Sequence, residues 1–185
     1  MNPVHYNQLA DHLNKLGEAD ARETLRGCCG AEGWIDRVLQ TRPFADGAAL
    51  DTAVERAFAA LTRDDWLGAF ACHPKIGDLG SLRMKYAGNK QWSAGEQAGV
   101  AEADERVIQR LAAGNAEYEN RFGWIFIVCA SGKSAAEMLG LLESRLGNEP
   151  EIELPIAAAE QKKITRLRLE KMGLEDKSIE KPAAE

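Results

Sequence analysis

The sequence has no long apolar run, no excess of positive charge and no recognisable metal-binding spacing. Without a stretch of about 18 apolar residues, we predict no membrane-spanning helix. The formal net charge of −6 argues against a nucleic-acid-binding protein, which would normally present a basic face. It does not exclude a small anionic substrate, because a few local positive groups can override the net charge.

Cysteine and histidine are scarce and unsuitably spaced for a metal ion. His5 and His12 lack the two-histidine zinc spacing, and no Cys-x-x-Cys pair exists. We therefore predict no metal or cofactor, and reduced, partly buried thiols at Cys28, Cys29, Cys72 and Cys129. A nucleophilic pair of Cys72 with His73 is disfavoured, because neighbouring side chains at a helix end usually point in different directions.

The chain ends carry no recognisable targeting signal. The N-terminus lacks a basic region followed by an apolar region, and the last three residues are neither a peroxisomal nor a retention signal. We therefore expect a cytoplasmic protein.

Apolar residues recur at helical spacing along most of the 185 residues. The periodic segments predict helices over 7–16, 18–28, 93–112, 115–121, 135–146 and 151–172, and further helices that begin near Trp34, Asp46 and Thr62. We predict an all-α fold, with a compact multi-helix domain over 1–174 in one or two lobes, and a polar tail over 175–185.

Three stretches depart from this pattern. Residues 77–92 contain three glycines and no clean period, so we predict a loop of about 15 residues. Gly114 should interrupt the helix that starts at Ser93. The apolar run 124–130 has strand propensity but no second strand to pair with, so we predict an extended segment, with a buried short helix as the alternative. A bound heterocycle with amide-like edges would supply some of its backbone partners.

Three polar residues stand out, and each also has a structural explanation. His73-Pro74 either holds an imidazole at a helix end or only stops the helix, because proline pushes the preceding residue out of the helical region. Ser93-x-x-Glu96 matches a capping box, although a carboxylate at a helix start can also meet a ligand. Arg168 lies on an apolar helix face, where it either exposes its charge or needs a carboxylate or an anionic ligand.

These residues form part of an ordered set of motifs. The set comprises His73-Pro74, Ser93-x-x-Glu96-Gln97, Phe122-Gly123 before the apolar run, and Lys163-Ile164-x-x-Leu167-Arg168. Over about Val4–Gly173, the set resembles the 2-oxo-4-hydroxy-4-carboxy-5-ureidoimidazoline (OHCU) decarboxylases of urate breakdown. Arg145, Asn148 and Glu149 also match that family, and we assign Arg145 a structural role.

The resemblance implies a cytoplasmic, homodimeric carboxy-lyase that converts OHCU, a small anionic ureidoimidazoline, to (S)-allantoin without a cofactor. It implies that His73 donates a proton or orients the leaving carboxylate. Glu96 would handle the hydroxyl proton or bind the ureido group, and Arg168 would balance the negative charge of the substrate. The implied pocket walls are Pro74, Ser93, Gln97, Phe126, Ile127, Val128, Cys129 and Ala130. We expect the chain to stand alone, without a fused transthyretin-like hydrolase domain.

Two other functions remain open from the sequence. A non-catalytic helical module would bind a partner through an apolar groove, and its three polar residues would be a helix stop, a cap and a solvent-facing arginine. A lyase for another ureido acid would keep the same site and change the substrate. Convergence of His73, Glu96 and Arg168 in one pocket would favour either enzyme over the binding module.

Overall fold

The structure, a computed structural model, describes residues 3–75, 78–86 and 97–175. Over these ranges the regular secondary structure is helical, without a β-strand, which confirms the predicted all-α fold. The helices are α1 (Pro3–Lys15), α2 (Glu18–Cys28), α3 (Glu32–Leu39), α4 (Gly47–Ala59), α5 (Arg63–Ala71), α6 (Leu79–Tyr86), α7 (Gln97–Phe122), α8 (Ala135–Leu146) and α9 (Pro150–Glu175). None of these helices is both long and apolar enough to cross a membrane.

The chain divides into two compact units. One unit comprises the described parts of Met1–Cys72 and Glu160–Glu185, and the other those of His73–Ala159. Helix α9 contributes its first residues to the second unit and the remainder to the first. The two units are described separately below.

The first unit is built on α1–α5 and the later turns of α9. Its core contains a row of aromatic rings in which Trp34 stacks on Phe58 at 5.4 Å between centroids, and Phe58 stacks on Trp66 at 5.8 Å. Helices α1 and α4 approach so closely that a Cβ on Gly47 would lie 2.6 Å from the backbone nitrogen of Asn7. Glycine at this position therefore sets the distance between the two helices.

Helix caps define where α4 and α5 begin. The Asp46 carboxylate accepts a hydrogen bond from the backbone N–H of Ala49 at 2.8 Å. Thr62 and Asp65 form a complete capping box at the start of α5, in which each side chain accepts from the backbone of the other residue. Both helix starts were predicted from these residue types, and both predictions are confirmed.

The second unit corrects two sequence-based predictions. Helix α7 runs unbroken through Gly114, where a Cβ would lie only 2.7 Å from Leu142 Cδ2 on α8. The glycine therefore permits close helix packing and does not break the helix. The predicted loop is also wrong over Leu79–Tyr86, which forms α6. Asp78 starts that helix, and its Oδ1 accepts from the Ser81 N–H at 2.9 Å.

Candidate active site

His73 lies one residue beyond the C-cap of α5. Helix α5 ends at Ala71, and Cys72 is its C-cap, with a backbone N–H that donates to the carbonyl of Ala69. The His73 side chain is partly buried, and Pro74 is exposed. The predicted helix stop is therefore confirmed, and His73 follows directly after the C-cap of α5.

The chain after Pro74 is tied to α7 within the same unit. Lys75 Nζ lies 2.6 Å from Glu119 Oε2, and the Lys75 side chain is largely exposed. This exposed ion pair joins a residue two positions beyond His73 to α7. The Cys72 thiol points elsewhere, with Sγ 3.8 Å from the carbonyl oxygen of Gly30.

Arg168 has backbone partners that the sequence did not suggest. Its guanidinium is partly buried, and Nη1 donates to the carbonyl of Cys28 at 3.1 Å and, at the limit of hydrogen bonding, to that of Gly27 at 3.5 Å. These carbonyls belong to the last turn of α2, where helix carbonyls lack intrahelical partners and favour a positive charge. Part of the Arg168 guanidinium is therefore held by the end of α2.

The remaining predicted catalytic residue cannot be located in the same way. Glu96 and Ser93 lie outside the described residues, and Gln97 is described only as the first residue of α7. His73 belongs to one unit and Arg168 to the other. The meeting of His73, Glu96 and Arg168 in one pocket therefore stays a prediction.

Residues 125–130 form neither helix nor strand, in agreement with the predicted extended segment. Protein cations supply partners for two of its carbonyls. Arg145 Nη1 donates to the carbonyl of Ile127 at 2.9 Å, and Lys133 Nζ donates to that of Cys129 at 2.7 Å. Ile127 and Cys129 are buried, whereas Phe126, Val128 and Ala130 are partly exposed. The segment thus presents alternate residues away from the core.

Lys133 and Ser134 resemble the end of a phosphate-binding loop in sequence only. The Lys133 ammonium is engaged by the carbonyl of Cys129, and Ser134 forms a capping box with Glu137 that starts α8. Among the described side chains, no cluster of three or more His, Cys, Asp or Glu has a metal-binding arrangement.

A buried polar network holds Arg145 beside the extended segment. Its guanidinium donates to the Glu153 carboxylate through Nε at 2.7 Å and through Nη2, which also reaches the Tyr118 hydroxyl at 3.3 Å. Tyr118 donates to the same carboxylate, and Asn148 Nδ2 donates to its second oxygen at 2.7 Å. Burial raises the pKa of Tyr118, and the hydrogen bond to Glu153 raises it further.

Sequence reasoning found Arg145 and missed its main partner. Glu153 is completely buried, yet in the sequence it is one of two acidic residues in the first turn of α9. Acidic side chains are common there because they complement the helix dipole. Nothing in the local sequence distinguishes buried Glu153 from exposed Glu151. The structural role assigned to Arg145 agrees with these contacts.

The fold and the described polar groups define a helical protein with an imidazole at a helix end, a partly engaged arginine and a non-helical apolar segment. The chain belongs to the OHCU decarboxylase family, whose model matches residues 14–170. This finding confirms the family that the motif order predicted.

Named relatives and a solved structure agree with the family assignment. The chain is 37% identical over 145 residues to the uric acid degradation bifunctional protein TTL of Arabidopsis thaliana, covering 78% of this chain and 45% of that protein. It is 37% identical over 135 residues to the OHCU decarboxylase of Amia calva, covering 72% and 75%. A crystal structure of OHCU decarboxylase in the presence of (S)-allantoin matches with a TM-score of 0.62 and 37% identity, covering 80% of this chain and 96% of that one. The chain thus spans less than half the length of the Arabidopsis protein.

Proposed function

We propose that this protein is a cofactor-independent lyase that decarboxylates OHCU to (S)-allantoin in urate breakdown. The observation that carries the proposal is the similarity to a solved OHCU decarboxylase crystallised with (S)-allantoin, at 37% identity over 80% of the chain. The ordered motifs and the family match over residues 14–170 support the same conclusion.

The substrate carries its own electron sink. The carboxylate leaves a hydroxylated ring carbon that neighbours a C=N bond. When the carbon–carbon bond breaks, carbon dioxide departs and the bonding electrons pass toward the imine nitrogen, which gains a proton. The resulting enol then loses its hydroxyl proton while the ureido-bearing carbon is protonated from one face. The protein has to bind, orient and transfer protons, which are tasks for side chains.

His73, Glu96 and Arg168 are the proposed catalytic residues. His73 orients the leaving carboxylate or supplies a proton, Glu96 accepts the hydroxyl proton or binds the ureido group, and Arg168 balances the substrate charge. The position of His73 directly after the C-cap of α5 supports its role, since the helix end defines where the His73 backbone begins. Arg168 Nη1 donates to a carbonyl at the end of α2. A guanidinium has further N–H donors, which could bind an anion.

The proposed pocket walls are Pro74, Ser93, Gln97, Phe126, Ile127, Val128, Cys129 and Ala130. Within residues 126–130, protein donors already occupy the carbonyls of Ile127, Cys129 and Ala130. Such a segment would meet a ligand through its N–H groups. Backbone N–H donors suit the carboxylate and ureido oxygens of OHCU.

The proposal includes a cytoplasmic homodimer that acts on this small anion. It also includes one functional domain over 1–174 and a polar tail over 175–185, because the family match ends close to the start of that tail. Sedimentation velocity of the purified chain tests the dimer. A truncation after residue 174 that keeps full activity would support the tail assignment.

The test is a coupled assay with circular dichroism detection. OHCU is generated in situ from urate with urate oxidase and hydroxyisourate hydrolase, the protein is added, and the optical signal of allantoin is followed. A rapid (S)-allantoin signal above the spontaneous racemic background supports the proposal. A trace identical to the enzyme-free control, from folded protein, would instead favour another ureido acid or a non-catalytic binding module.

His73→Ala provides the matched site variant for this assay. The exchange should abolish turnover and leave the fold intact, because the partly buried side chain follows the last turn of α5. A folded His73→Ala protein with near-normal turnover would refute the catalytic role. The far-ultraviolet spectrum and the unfolding midpoint provide the control for folding.

A further inference from the structure

We propose that Arg145 is a positioning residue for the decarboxylation, because it holds the proposed substrate wall 126–130 in place from behind. This inference rests on the function proposed above. All the residues it uses lie in the unit His73–Ala159.

The guanidinium of Arg145 joins two parts of this unit. Nε and Nη2 donate to Glu153 on α9, whereas Nη1 donates to the carbonyl of Ile127 at 2.9 Å. The Phe126 ring lies against the guanidinium, with its centroid 4.7 Å from Cζ. Two successive wall residues therefore contact one cation, one through its backbone and one through its ring.

The wall segment requires such a partner because it has no regular secondary structure. Residues 125–130 form neither a helix nor a sheet ladder, so their carbonyls need partners from elsewhere. At Ile127, which is only 2% exposed, the partner is Arg145. An alternative position of the segment would leave a buried carbonyl and a buried cation without their mutual contact.

Stability alone is a weak explanation for this pair. Arg145 is 7% exposed and Glu153 is fully buried, and apolar residues of similar volume often replace such a pair at no cost in stability. What an apolar pair cannot supply is the fork that binds Glu153 and Ile127 together. A lysine cannot supply it either, because its single ammonium lacks the planar spread of donors.

The orientation of Arg145 is fixed by the other partners of Glu153. The Tyr118 hydroxyl donates to one carboxylate oxygen, and Asn148 Nδ2 donates to the other at 2.7 Å. The carboxylate can therefore turn little, and the guanidinium facing it is held in one plane. This plane directs Nη1 to the carbonyl of Ile127.

The kinetic test distinguishes positioning of the wall 126–130 from stabilisation by the Arg145–Glu153 ion pair. Arg145→Lys should raise KM for OHCU by about tenfold while kcat changes less, since the reacting groups remain and the wall shifts. The double variant Arg145→Met with Glu153→Gln removes both charges. The glutamine oxygen still accepts the hydrogen bond from the Tyr118 hydroxyl. It should fold with an unfolding midpoint somewhat below that of the wild type, because the Ile127 carbonyl loses its partner, and it should keep the raised KM. A double variant with wild-type KM would overturn the positioning role.

Hydrogen exchange gives a second measurement that does not depend on the reaction. In folded Arg145→Lys, the amides of 125–130 should exchange about tenfold or more faster, and those of α7 and α8 should be unchanged. Arg110→Gln is the matched control, because Arg110 forms an exposed ion pair with Glu143 between α7 and α8. Unchanged exchange at 125–130, or an equal increase throughout the unit, would overturn the inference. If the wild type makes no (S)-allantoin, the proposed function fails, and the exchange measurement alone still decides whether Arg145 fixes the segment.

Discussion

Arg168→Lys should separate the structural contact of this arginine from its proposed catalytic role. In the structure, Nη1 makes one hydrogen bond of ordinary length, to Cys28 at 3.1 Å, and a marginal one to Gly27 at 3.5 Å. A hydrogen bond from a charged group contributes about 1.5–3 kcal/mol, and partial exposure puts this one at the lower end. A lysine keeps the charge near the end of α2, which contributes about 0.3–1 kcal/mol. We therefore expect a loss of only about 1 kcal/mol of stability.

The same exchange should have a much larger effect on activity. The proposed fork-shaped contact with the substrate carboxylate would be lost when Arg becomes Lys, so kcat/KM for OHCU should fall on the order of 100-fold, or about 2.7 kcal/mol. The coupled dichroism assay gives kcat/KM, and urea unfolding gives the stability of the same preparation.

Arg166→Gln is the matched control on the same helix. Arg166 pairs with Asp51 at 3.0 Å and with Glu55 at 2.6 Å, and it belongs to none of the family motifs. Its loss should cost about 1 kcal/mol of stability, since the pairs are partly exposed, and leave kcat/KM unchanged. If Arg168→Lys lowers kcat/KM no more than Arg166→Gln does, Arg168 serves only the end of α2.

Three further predictions concern glycine packing, a helix cap and cysteine exposure. Gly47→Ala should destabilise the protein by about 1–2 kcal/mol, because the new Cβ would lie 2.6 Å from the α1 backbone. Gly68→Ala, where a Cβ would meet nothing within 4 Å, should stabilise it by about 0.5–1 kcal/mol. Urea unfolding measures both changes. The backbone and then the hydroxyl of Thr62 lower the pKa of Asp65, so its stabilisation is present above pH of about 4 and is lost as the pH falls. The stability difference between wild type and Asp65→Asn should therefore shrink between about pH 5 and pH 2 in thermal scans, and a constant difference would contradict the assignment. Native maleimide labelling should modify Cys72 and spare the three buried cysteines, as read by peptide mass mapping, and equal labelling of a buried thiol would contradict the burial.

Hydrophobic periodicity and helix capping residues account for most of the correct fold predictions. The bounds predicted for α2 and α8 agree with the structure, because each has an apolar stripe and a clear end. Thr62 and Asp65 identify the start of α5 from residue types alone, since the capping box is a local interaction. Local interactions of this kind are encoded within a few residues and are therefore readable in one sequence.

The errors occurred where a distant residue decides the outcome. Gly114 looks like a helix break until Leu142 on α8 is placed against it. Helix α6 buries only Leu82 among its residues, so it has almost no apolar period to detect. Glu153 becomes a buried acceptor only because Arg145 and Tyr118 lie beside it. None of these three facts is contained in a short window of sequence.

Whether Glu96 is a helix cap or a catalytic residue can be judged by comparison with the two described capping boxes. In both boxes, Thr62 with Asp65 and Ser134 with Glu137, hydrogen bonds from the N-cap residue lower the pKa of the acidic partner. A carboxylate engaged in this way is a poor acceptor for a substrate proton. A catalytic Glu96 should therefore direct its charge to the ligand more than to the Ser93 cap.

Glu96→Gln decides between the two roles, because glutamine also serves at the third position of a capping box. If Glu96 accepts the hydroxyl proton, the exchange should lower kcat by about 10²–10⁴-fold with little change in the unfolding midpoint. Glu137→Gln, at the formed capping box of α8, is the control and should leave kcat unchanged. A Glu96→Gln enzyme with wild-type kcat would exclude Glu96 as the proton acceptor and leave it the roles of a cap or of a ureido-binding group. The proton would then have to be accepted by another group, and His73 is the first to test, through the dependence of kcat on pH.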